Sequence, residues 1–234
     1  DKSCYGARLK RIRNEELFST EDDEPFHVSS IGSFIPYFQP YQRWRNDGLQ
    51  AIRDELEKDR DIIAVSLDLK SYYHFIDPTA VIGDALLAAL ELGLSDSELE
   101  FTAQLAHLLK KWADGATTFG KKVADKRSNI SGGLVIGLTC SRIISNALLH
   151  KWDKQVLEQL SPIHYGRYVD DMFIVLRDTG AVSNNLELMQ LLQARMGKDY
   201  IFQDASDPQV WEIQQGKDIQ GDTKICLQSD KQKL

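Results

Sequence analysis

The chain has 234 residues, 42% of them apolar, and a formal net charge of −7. That length suits one large domain or two small ones, and the acidic balance alone argues against a chain whose main task is to neutralise phosphates. Cys4, Cys140 and Cys226 are scattered without metal-ligand spacing, and no apolar run or leader suggests a membrane span or signal peptide, so a reduced intracellular protein is expected.

The charge is unevenly spread. Residues 1–14 carry Lys2, Arg8, Lys10, Arg11 and Arg13 against one acid, and residues 15–24 then carry only acids. A solvated surface shows such clusters too. Residues 1–40 read as irregular, with Pro36 and Pro40 breaking an aromatic segment into a packed loop. A helix is predicted over 41–60, with Trp44, Leu49, Ile52 and Leu56 on one stripe and Arg43, Arg45, Arg53, Glu55 and Lys58 elsewhere. Ile62 to Leu69 is the apolar run of a central strand. Asp68, near its end, must emerge or meet a cation, because an ionised carboxylate is costly to bury alone.

Asp77 and Pro78 start a helix expected to reach about Gly93. Ser95 and Glu98 form a capping box for a second helix. Its predicted apolar face is Phe101, Leu105, Leu108, Leu109 and Trp112, and Gly115 is expected to end it. Residues 115–129 are polar, with a second basic cluster at Lys121, Lys122, Lys126 and Arg127. After the glycine-bearing stretch 132–138, a helix is predicted from about Thr139 to Leu160. Ile144, Ala147, Leu148 and Leu149 face its core side, and Ser141 and Ser145 give a small-residue edge.

The stretch Tyr165-Gly-Arg-Tyr-Val-Asp-Asp-Met-Phe-Ile-Val-Leu176 reads as two strands meeting at a tight turn, with Asp170 and Asp171 at the tip. Adjacent carboxylates repel, and a hard divalent cation bound through oxygen would hold them. A plain polar turn uses Asp as well. A helix over 183–196 closed by Gly197, a strand at 200–202 and a β-like run at 224–227 complete the pattern. Strands separated by helices suggest an α+β fold, one antiparallel sheet with helices on one face. If its strands pair, Asp68, Asp170 and Asp171 meet at one edge. Joining a hydroxyl to a nucleoside triphosphate uses such a set to hold two divalent cations ~3.5–4 Å apart.

Asp68-Leu-Lys-Ser-Tyr-Tyr73, Gly133-Leu-Val-Ile-Gly137 with Ser141 and Asn146, and Tyr168-Val-Asp-Asp171 resemble, in order, three palm motifs of reverse transcriptases. The resemblance covers residues 60–180 well. Residues 141–149 and the closing 231–234 are most similar to the bacterial defence-associated (abortive-infection) enzymes, with retron and group II intron enzymes next. It implies a right-hand polymerase palm with partial, largely helical fingers. The division would be fingers-like 1–60, palm 61–210 with a helical finger insertion at 78–129, and 211–234 leading toward a thumb. The start without Met and the stop in mid-pattern read as a piece of a longer chain.

The implied activity is RNA-directed or untemplated DNA synthesis from dNTPs in bacterial antiphage defence, in the cytoplasm and away from membranes. Mg2+, or Mn2+, is the implied cofactor. An RNA template, a DNA product, a non-coding RNA or a partner defence protein, and a homo-oligomer are the implied partners. Asp68, Asp170 and Asp171 would be the catalytic metal ligands, joined by the Leu69 carbonyl. Tyr73 would be the steric gate against a ribose 2′-hydroxyl, with Tyr72, Ile136 and Gly137 around the dNTP and Tyr168 and Val169 at the primer. Arg8, Lys10 and Arg11, then Arg43 and Arg45, are candidates for the triphosphate. A core aromatic, a helix-start glycine and surface charge are the ordinary readings of Tyr73, Gly137 and these cations. Val135 and Ile136 replace the family's Pro-Gln, which removes a polar contact near the templating pair and favours untemplated synthesis. Lys198 reads as a helix C-terminal lysine or as an acid for pyrophosphate. An RNA-directed RNA polymerase, against which Tyr73 argues, and a silent RNA- or protein-binding scaffold are the competing readings.

Overall fold

A computed structural model of the chain describes residues 3–7, 34–123, 133–178, 180, 182–214 and 223–229. Strands β1 (Ile62–Asp68), β2 (His164–Tyr168) and β3 (Asp171–Arg177) form one antiparallel sheet in the order β1-β3-β2. Strands β4 (Ile201–Gln203), β5 (Val210–Ile213) and β6 (Ile225–Gln228) form a second, in chain order. The two meet where Leu69 bridges Leu227 and the Lys70 N–H donates to the Cys226 carbonyl at 2.7 Å. The α+β class holds, but the expected single sheet is two.

Helices also cover both faces of the first sheet rather than one. Successive side chains of a strand point to opposite sides. On β3, Met172 accepts from the indole N–H of Trp152, on α5 (His150–Gln155), at 2.9 Å. The next residue, Phe173, lies on the opposite face, 6.2 Å from the ring of Trp44 on α1 (Phe38–Leu56). Gly48 is required there, since a Cβ at that position would come 2.3 Å from the Phe173 ring.

α1 starts before Pro40, not after it, because a proline in the first turn lacks only an N–H that has no helical acceptor. Its inward residues are Trp44, Gly48 and Glu55, while Leu49 and Leu56 are exposed, unlike the expected stripe. Asp77 caps as expected, its carboxylate accepting from the Thr79 N–H at 2.9 Å. The helix after it is broken, however, into a 3-10 turn (Pro78–Ile82), an extended Gly83 and the short α2 (Asp84–Ala89).

The Glu98 carboxylate accepts from the Ser95 N–H at 2.8 Å, as a capping box requires, and opens α3 (Asp96–Val123). This helix passes straight through Gly115, since a deficit of about 1 kcal/mol against Ala is too small to end a packed helix. Its buried residues include Ala106, Leu109 and Ala113, while Phe101, Leu108 and Trp112 face outward. The predicted helix at 139–160 is three pieces: α4 (Thr139–Leu148), α5 and a π-helical turn (Val156–Leu160). α6 (Asn185–Met196) is capped by Asn184 and ends at Gly197, whose φ is +104°. Among the described residues, no helix is long and apolar enough to cross a membrane.

Gly48→Ala is expected to destabilise the fold by about 1–3 kcal/mol through overpacking, because the added Cβ would meet the Phe173 ring, which also packs edge-on against the His164 ring at 6.1 Å. Urea denaturation measures this directly.

Candidate active site at the hairpin tip

The ladder places the three carboxylates at one end of the first sheet. Asp68, the last residue of β1, lies directly opposite Asp171, the first of β3, and Asp171 is also opposite Tyr168 of β2. Facing residues of an antiparallel ladder hold their Cβ atoms about 4.5–5.5 Å apart. Asp170 and Val169 form the turn beside them. Burial, then Asp170, then Asp68 push the Asp171 carboxyl up to about 6. Burial raises Asp170 too; its own backbone N–H opposes this, Asp68 adds to it and Arg167 subtracts.

Asp170 and Asp171 therefore both feel the charge of Asp68, and Asp171 feels that of Asp170 as well. Among the described residues, no three His, Cys, Asp or Glu side chains are gathered into a ready metal cage. The donor set is nonetheless all hard oxygen, which fits Mg2+ and not a thiophilic or imidazole-seeking metal. Leu69, whose carbonyl was expected to join, is buried in its bridge to Leu227.

The turn carries strain. Val169 has φ +61°, a left-handed conformation that a β-branched residue rarely adopts. Arg167 holds it there. One guanidinium nitrogen donates to the Val169 carbonyl at 2.8 Å and to Asn146 Oδ1 at 2.9 Å. Its Nε and Nη2 donate to the two Asp153 oxygens at 2.8 and 2.6 Å, and the Tyr165 hydroxyl donates to the same carboxylate. The Arg167 and Asp153 side chains are each only 1% exposed. Burial disfavours the charged guanidinium, but Asp153 outweighs it and raises the Arg167 pKa.

The N-terminal segment fastens the same corner. The Tyr5 N–H donates to the Arg167 carbonyl at 2.8 Å, and the Arg167 N–H donates to the Ser3 carbonyl at 2.7 Å. Asn146 donates to the Gly6 carbonyl at 3.0 Å, and a Cβ on Gly6 would lie 2.6 Å from the Val169 nitrogen. Sequence reasoning missed Arg167 and Asp153. The available signal was an arginine inside the strand that leads to the acidic turn, which must find a partner if it is buried.

On the other side of the carboxylates, the buried Tyr72 hydroxyl donates to the Ser145 carbonyl at 2.7 Å, and the half-buried Tyr73 hydroxyl shares a hydrogen bond with Ser145 Oγ at 3.0 Å. Burial raises the Tyr73 phenol, the Ser145 bond lowers it and Asp170 raises it, so its ring lies within electrostatic reach of the tip. The Leu134 N–H donates to the Tyr73 carbonyl at 2.8 Å, and a Cβ on Gly133 would sit 2.1 Å from that oxygen. Gly133 is thus hemmed in by neighbouring backbone. Gly137 is instead fixed by its φ of +91°, with open space around it, and Ile136 beside it is exposed.

Arg43 and Arg45 are exposed on α1, and Arg8, Lys10 and Arg11 lie outside the described residues. Lys198 is exposed just past α6. Arg142 of α4, unforeseen from the sequence, stands 5.4 Å over the Phe34 ring, and its charge lowers the Tyr168 and Tyr73 pKa values against the larger effect of burial. No spacing rule singles it out. The Tyr168 ring lies 5.3 Å from that of Tyr41 on α1.

Arg167→Met strands the Asp153 charge and is expected to cost about 3–5 kcal/mol of stability. Adding Asp153→Leu should recover part of that loss, as chemical denaturation of both variants would reveal. Asp171 titrates near 6 when folded and near 4 when unfolded. Below about pH 4 both states hold the proton and the group contributes nothing. As pH rises through 6 the ionised carboxylate weighs fully against the fold. Asp171→Asn should therefore raise the metal-free Tm near pH 8 and leave it unchanged below about pH 4.

Compared with protein-family models and with curated proteins, the chain matches none.

Proposed function

We propose that this chain is a metal-dependent DNA polymerase of the reverse-transcriptase kind, acting on dNTPs in bacterial antiphage defence. One observation carries the reading: Asp68 stands across the ladder from Asp171 with Asp170 in the adjoining turn, so acids far apart in the chain share one sheet edge. In this reading residues 61–210 form the palm around the β1-β3-β2 sheet, and α1 and the insertion at 78–129 supply the fingers.

Asp68, Asp170 and Asp171 would hold Mg2+. When bound, the metal supplies acidity at the attacking hydroxyl and positive charge at the departing pyrophosphate. The chain's own residues do the positioning. The raised Asp171 retains a proton to near-neutral pH, which cation binding must displace. Arg167 fixes the turn so that Asp170 and Asp171 keep their spacing. Tyr73, tied to Ser145 and to the Gly133 corner, presents its ring where a ribose 2′-hydroxyl would collide. Arg142, together with the exposed Arg43 and Arg45, offers positive charge to the triphosphate. The apolar Val135 and the exposed Ile136 offer no side-chain amide to a templating base, which favours untemplated or otherwise unusual synthesis.

Asp170→Asn with Asp171→Asn should abolish incorporation of labelled dNTPs while circular dichroism stays native; undiminished synthesis would remove this site from the chemistry. Tyr73→Ala should raise rNTP use relative to dNTP on the order of tenfold, the scale of one steric contact. A ratio unmoved by that change would reject the gate.

A further inference from the structure

α3 has its faces the wrong way round for a helix bounded by solvent. The side packed on the protein carries Ala106, Leu109 and Ala113, whereas Phe101 is 67% exposed, Leu108 64%, Trp112 47% and Phe119 67%. With Gly115, and with Leu105 at the edge of the stripe where it also packs against the core, these exposed residues alternate by four and three along the helix. That period of 3.5 is the one that keeps a stripe facing a second helix over several turns.

The stripe is also symmetric about the level of Lys110. Laid antiparallel on a second copy of itself, Phe101 meets Phe119 of that copy, Leu108 meets Trp112, and Leu105 faces Gly115, where no atom lies within 4 Å of a built Cβ. A glycine in mid-helix is unfavourable on its own, but here it leaves room for the opposing leucine. The charges run the same way. Asp96, Glu98 and Glu100 are the charged residues of the first half and are exposed. The second half carries the exposed Lys111, Lys121 and Lys122 and one exposed acid, Asp114, beside Lys110, which already pairs with Asp77 at 2.9 Å and with Asp114 at 3.5 Å. An antiparallel pair sets Glu98 opposite Lys122 at both ends, whereas a parallel pair stacks acid on acid.

We propose that α3 is a two-fold, antiparallel self-association surface and that the occupant of the stripe is a second copy of this chain. The inference does not depend on the polymerase reading. The exposed rings and Leu108 offer roughly 400 Å2 of apolar surface per copy, taking 150–250 Å2 per aromatic side chain. This is about half of a standard interface's share per partner, so the polar ends must contribute and the dimer should be reversible.

Sedimentation velocity of the full chain across a concentration series tests this. The wild type should show a concentration-dependent dimer, and Leu108→Glu with Trp112→Glu should be monomeric with unchanged circular dichroism. Lys122→Glu should weaken the dimer about three- to tenfold at low salt, and adding Glu98→Lys should restore it. A wild type that stays monomeric throughout, a dimer that survives the double glutamate change, or a charge swap that restores nothing would each overturn the proposal. Single-stranded DNA binding lost with Leu108→Glu and Trp112→Glu, in a chain that does not dimerise, would give the stripe to nucleic acid instead.

Discussion

The buried pair of Arg167 and Asp153 sets the geometry on which the hairpin tip depends. Two charges taken out of water give little net stability, because desolvation offsets most of their attraction. What the pair provides is position. A guanidinium whose nitrogens are all committed, to Asp153, Asn146 and the Val169 carbonyl, admits one placement of the turn. α4 supplies Asn146, α5 supplies Asp153, and the segment from Ser3 to Ala7 closes the β2 edge. Three separate pieces of chain therefore converge on Arg167 and the turn that follows it.

The same corner bears features that work against stability. Val169 sits in a left-handed conformation and Asp171 is driven toward protonation by burial and by two like charges. Strain and repulsion of this kind persist where the arrangement is useful for something other than folding. The surrounding packing is tight enough to hold them: Gly6 and Gly133 each leave no room for a Cβ against the neighbouring backbone. The hairpin and the glycine stretch are thus fastened to the turns that carry Asp170 and Tyr73.

Much of this was legible in the sequence, for local reasons. The hairpin shows in its tight turn and buried-strand composition, and Asp68 stands out because an acid ending an apolar run needs an outlet. The capping box at Ser95 and the Asp77 cap depend only on residues two or three positions apart. The failures have a common cause in tertiary contact. Nothing near Phe101 or Trp112 says which apolar face of α3 turns inward, because small residues on the other side settle it. Strand β5 was not anticipated, and its place in the second sheet comes from pairing with β4 and β6. Arg167, Asp153 and Arg142 gain their roles from partners on other elements, and spacing along the chain carries no trace of them.

The central claim is that Asp68, Asp170 and Asp171 act together as one cation site beside a nucleotide. Titrating Mn2+ into the protein in the presence of a dNTP, and following the free ion by electron paramagnetic resonance, tests it most directly. The wild type should deplete the free-ion signal, and Asp68→Asn should weaken binding by at least about tenfold, as loss of one charged ligand demands. Mn2+ uptake by Asp68→Asn equal to that of the wild type would contradict the account.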